Sequence, residues 1–88
     1  MKTIWKYTLD PNDLKINMPI GARILTAREQ RDRICVWAEV HDDSHTEQRN
    51  FVVVATGQEM PEGILKYLGT ASLNSGALIF HVYERVFK

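Results

Sequence analysis

Disulfides, a net charge and long apolar runs are all missing from these 88 residues, which hold one cysteine, three prolines and five glycines. A single Cys35 excludes an internal disulfide, and its setting between Ile34 and Val36 reads as a small buried apolar residue in a reducing compartment. Eleven Lys and Arg offset eleven Asp and Glu. No global field therefore draws the chain to duplex nucleic acid or to an anionic membrane. No stretch approaches the ~20 apolar residues of a membrane-spanning helix, and the opening Met1-Lys2-Thr3-Ile4-Trp5-Lys6-Tyr7 has no apolar signal region. The expectation is a cytoplasmic protein without a processed leader. Glycines are scattered, Gly57 and Gly69 standing alone, so there is no Gly-rich phosphate loop.

What the chain does have is period-two alternation. Residues 3–9 place Trp5, Tyr7 and Leu9 on one face of a first strand, and Leu14, Ile16 and Met18 alternate in a short second one. A third strand is expected over 22–28 and a fourth over 33–41, with Ile34, Val36, Ala38 and Val40 as its apolar face. Residues 49–56 are apolar on both faces, as central strands are. The closing segments 66–73 and 77–87, joined by Asn74-Ser75-Gly76, read as a β-hairpin. Along its second strand Leu78, Phe80 and Val82 point to the core, while Ile79, His81 and Tyr83 point the other way, toward a ligand or a subunit contact. At most one short helix is expected, near 59–66, where Pro61 suits a first turn and Gly63 weakens it by ~1 kcal/mol relative to Ala. The fold class is therefore mainly β: one domain over 1–88, an antiparallel meander of about seven strands curled into a small barrel or sandwich.

Few residues suggest catalysis. His41-Asp42-Asp43-Ser44-His45 offers possible metal ligands, but a polar turn carries such residues for solvation alone, and no second ligand pair completes a closed site. Cys35 would need a thiolate-stabilising partner, which His81 or His41 supplies only if their strands are neighbours with the right faces matched, and an inert core thiol is the expectation. No enzyme, metal or cofactor is expected. Binding of a nucleotide-like anion is better supported, because stacking needs aromatic faces and phosphates need guanidinium groups. Trp37 and Tyr83 are the candidates for stacking, Arg28 and Arg49 for phosphate, and His81, Thr56 and Thr70 for the polar definition of the pocket. A domain this small buries only a little over roughly 60% of its unfolded surface, which makes a homo-oligomer the natural expectation.

The segments Met1–Tyr7, Met18-Pro19-Ile20-Gly21-Ala22-Arg23-Ile24-Leu25, Trp37-Ala38, Thr56-Gly57, Tyr67-Leu68-Gly69-Thr70 and Phe80-His81-Val82-Tyr83-Glu84 resemble a family of short proteins encoded by bacteriophages and prophages. The resemblance runs nearly end to end and carries no catalytic assignment. It implies an accessory protein in bacterial cytoplasm that antagonises host defence, either by sequestering a nucleotide-derived immune signal or by inhibiting a host defence protein. A metal-dependent hydrolase built on His41 and His45 is the third alternative.

Overall fold

The computed structural model describes residues 1–43 and 45–87. Seven strands form two antiparallel sheets: β1 (Lys2–Thr8), β2 (Lys15–Pro19), β3 (Arg23–Gln30), β4 (Arg33–His41), β5 (Thr46–Ala55), β6 (Ile64–Leu73) and β7 (Leu78–Phe87). One sheet has the order β1-β4-β3, the other β2-β5-β7-β6. Of the two architectures expected, the sandwich is realised. Consecutive strands pair only in the β3–β4 and β6–β7 hairpins, whereas β1 and β2 lie in different sheets.

Alternation fixes which side of each sheet is core. Val36, Ala38 and Val40 of β4 are buried, and they meet Met18, Phe51 and Val82 from the other sheet in one apolar cluster. The inward face of β5 and β7 then continues with charged residues. Arg49 shares its side with Phe51 and Val53, and Glu84 shares its side with Val82, so both groups point between the sheets. They satisfy each other there. Arg49 donates from Nε and Nη2 to the two Glu84 carboxylate oxygens, and from Nη1 to the Ala22 carbonyl at 2.9 Å. The last contact ties the four-stranded sheet to the entry of β3. Hydrogen bonding to Glu84 also raises the guanidinium pKa above its already high ordinary value.

One side of the sandwich is closed where β3 runs beside β6. A Cβ at Gly69 would lie 2.0 Å from the Ala27 carbonyl oxygen, so only glycine permits the approach. Side chains seal the rest of the seam: Glu29 accepts from the Ser72 amide at 2.6 Å and Asp32 from the Asn74 amide at 2.7 Å. Asp32 belongs to the two-residue β3–β4 turn, in which Arg31 and Asp32 both adopt positive φ. That is the backbone twist a tight hairpin needs, here taken by residues that are not glycine.

No helix forms near 59–66. The link 56–63 leaves β5 opposite Phe80 and enters β6 opposite Phe87, seven residues further along β7. That distance is ~23 Å at ~3.3 Å per strand residue, while eight helical residues cover only ~12 Å. The link must run extended. It is pinned on the outer face at both ends, by Thr56 to the His81 ring and by the Glu62 carbonyl, which accepts from Arg85.

Two stability outcomes follow from this packing. Gly69→Ala should lower stability by about 3 kcal/mol or more in urea denaturation, because the clash is with backbone. Arg49→Met should cost about 3–5 kcal/mol by stranding Glu84, and adding Glu84→Leu should restore most of it; equal destabilisation of the single and double variants would show that the pair is not the reason.

Candidate functional site

The residues expected to share one pocket occupy three separate places. Thr56, Thr70, His81 and Tyr83 do come together, on the outer face of the four-stranded sheet. Thr56 Oγ1 lies 2.7 Å from His81 Nε2 and Thr70 Oγ1 lies 3.2 Å from His81 Nδ1. Each hydroxyl is able to donate or accept, so the neutral ring is satisfied in either tautomer. Tyr67 extends the chain through its hydroxyl to Thr70, and its ring meets Tyr83 edge to face with centroids 5.5 Å apart. This arrangement ties together the link, β6 and β7. Both imidazole nitrogens are already engaged by protein hydroxyls.

Arg49 lies apart from these residues, inside the sandwich. Its guanidinium is taken up by Glu84 and the Ala22 carbonyl inside the sandwich, which corrects the expectation of a phosphate contact. Nor do Trp37 and Tyr83 form one stacking site, since they lie on opposite outer faces of the sandwich. Trp37 keeps its expected neighbour Arg28, whose guanidinium carbon is 5.7 Å from the ring centroid. That is cation–π distance.

The face around Trp37 is built by register. Pairing places Lys6 and Thr26 opposite Trp37, Thr8 and Arg28 opposite Cys35, Ile4 and Arg23 opposite Glu39, and Lys2 opposite His41. Arg33, two residues before Cys35 and opposite Gln30, belongs to the same side. Lys2, Lys6, Arg23, Arg28 and Arg33 thus share a face with one carboxylate, Glu39, a local excess of four charges (five minus one) on a chain that sums to zero. Lys2 and Arg23 approach Glu39 at 3.5 and 3.4 Å. Lys6 reaches across β4 to the Gln30 side-chain carbonyl at 2.6 Å, a neutral partner. Lys6, Arg28 and Arg33 therefore carry the charge that Glu39 does not offset. Alternation within β1 was the available signal for Lys2 and Lys6, but it becomes informative only once β1 is known to pair with β4.

A cleft lies at the end of the sandwich near the Asp10–Asp13 turn, where Thr8 and Arg33 of this face reach it. It holds about 720 Å³ and is lined mainly by Leu9, Leu14, Ile34, Val53, Leu73 and Phe80. None of the residues expected at a site from sequence lines it. The 41–45 segment gathers no metal-binding set: among the described residues no group of three or more His, Cys, Asp or Glu comes together, and Ser44 lies outside them. Asp42 instead accepts from the Met1 amine at 2.8 Å. Among the described residues no helix is long and apolar enough to cross a membrane.

These features define a small two-sheet β-sandwich with a cationic, tryptophan-bearing outer face. By its sequence the chain belongs to the family described as Domain of unknown function (DUF7352), whose model matches residues 1–88. No curated protein and no solved structure matches it.

The hydrogen bond from Arg23, reinforced by the charges of Arg23 and Lys2, holds the Glu39 carboxyl below the ordinary glutamate pKa. Its contribution to stability is complete above the ordinary value and disappears as pH falls through the lower folded one. An NMR titration of the side-chain carboxyl should show that low inflection, and Arg23→Ala should move it upward; an inflection unchanged in that variant would remove Arg23 as the cause.

Proposed function

We propose that this protein is a non-catalytic binding module that holds a nucleotide-like anion on the outer face of the three-stranded sheet. The observation that carries the reading is the pairing of a half-buried Trp37 with Arg28 amid cations that Glu39 only partly offsets. A base stacks on the indole and guanidinium planes, and Lys6, Arg28 and Arg33 meet its phosphates. The resemblance to bacteriophage proteins supplies the setting: a homo-oligomer in bacterial cytoplasm that sequesters a nucleotide-derived immune signal.

A second reading, a protein-binding inhibitor of a host defence enzyme, draws on a different surface. Tyr67, paired with Tyr83 on the outer face of the four-stranded sheet, and Ile64 at the start of the same strand are 55% and 60% exposed. The same hairpin is the contact surface for self-association.

Thermal melts against a panel of mono-, di- and cyclic nucleotides separate the two. A ligand present at 100 times its Kd adds about 2.7 kcal/mol, a rise on the order of 10 °C for a domain of this size. Arg28→Ala should abolish the rise while leaving the unliganded melt close to that of the parent. A flat response to every nucleotide, with a host protein retained through the hairpin, favours the inhibitor.

A further inference from the structure

We infer that the partner of the cationic face is a single strand of nucleic acid spanning several nucleotides; this rests on the reading above and narrows its ligand class. Shape is the first argument. Pockets for small molecules are concave and enclose most of their ligand, yet Trp37 and Arg28 line neither the cleft that this face reaches through Thr8 and Arg33 nor the open hollow of about 470 Å³ at Lys2, Ile4 and Glu39. One-sided contact holds a lone nucleotide weakly. It becomes effective when neighbouring units of the same molecule are held at the same time.

Length is the second argument. The cations run from Lys2, opposite His41, to Arg33, so they span eight residues along β4, or ~26 Å at ~3.3 Å per residue. One nucleotide does not reach across that distance. A strand with a phosphate every ~3.4 Å or more of rise passes several of them over it. The third argument is the stacking plane. An indole in the middle of the sheet, with a guanidinium above it, receives the face of an unpaired base, and a duplex keeps those faces stacked on each other. The cations track the backbone on either side, and the reading is tolerant of sequence because every base has a π-face.

The test is fluorescence anisotropy with labelled oligothymidylate and oligouridylate of about twelve nucleotides, inside the ~4–16 range of one such binding face. Mononucleotide and a duplex of equal length serve as competitors. Binding is expected to strengthen with oligonucleotide length and to weaken with salt, with a log–log slope near −2 for contacts from Lys6, Arg28 and Arg33 at ~0.7 each. Trp37→Ala should weaken binding about tenfold. Because that change also touches packing, Lys6→Glu and Arg28→Glu are measured alongside it, and each should abolish binding with the circular dichroism spectrum intact. A preference between the thymidylate and uridylate probes assigns the strand to DNA or RNA. If mononucleotide binds as tightly as oligonucleotide, the polymer is wrong while the nucleotide module stands. If neither binds, both readings fall. Competition by duplex on equal terms, or binding indifferent to Lys6 and Arg28, overturns the inference.

Discussion

At the β3–β6 seam, the backbone of one sheet passes so close to the other that no side chain fits between them. Gly69 against the Ala27 carbonyl sets that distance. With the seam closed and cross-linked by Glu29 and Asp32, the two sheets share one interior, and their opposite edges, β1 and β2, lie on the far side. Every other assignment depends on this closure. It makes the even-numbered side of β4 core and turns Trp37 with its cations outward.

The same interior explains why two ionised groups are tolerated inside a small domain. A buried charge is costly unless its hydrogen-bonding capacity is met, and Arg49 meets the requirement with a forked contact to Glu84 and a third bond to Ala22. The ion pair accepts one register of β5 against β7, the one that brings residue 50 opposite 85 and 51 opposite 84. Tyr7 is a smaller departure from an apolar core. Its hydroxyl is buried with no hydrogen-bond partner among the described residues, and burial pushes its pKa up.

Much of the fold is legible in local pattern. The bounds of β4 follow from its alternation, and the two-residue turn at Arg31-Asp32 sets the hairpin register that brings Arg28 opposite Cys35, next to Trp37. The start of β5 is hidden because Thr46-Glu47-Gln48 look like loop; they are extended because β2 pairs with them. The helical candidate near 59–66 failed for a reason of span that exists only once β7 is known to lie between β5 and β6. The inward placement of Arg49 is not legible locally: arginine suggests surface, and a segment apolar on both faces does not say which side is core. His81, Thr56 and Thr70 hydrogen-bond one another because the β6–β7 hairpin and the end of β5 converge there. Lys2 and Lys6 were beyond reach, because no local feature says that β1 crosses the chain to join β4.

The strand order β5-β7-β6 has a consequence for how the domain is made. Its final strand is an interior one, so while a ribosome is still extending the chain, β5 and β6 have each lost the neighbour they require and cannot pair with each other across the gap. Assembly of the four-stranded sheet waits for β7 to emerge and insert, a late, non-local step of the kind that slows β-rich domains and leaves unpaired edges exposed to neighbouring nascent chains.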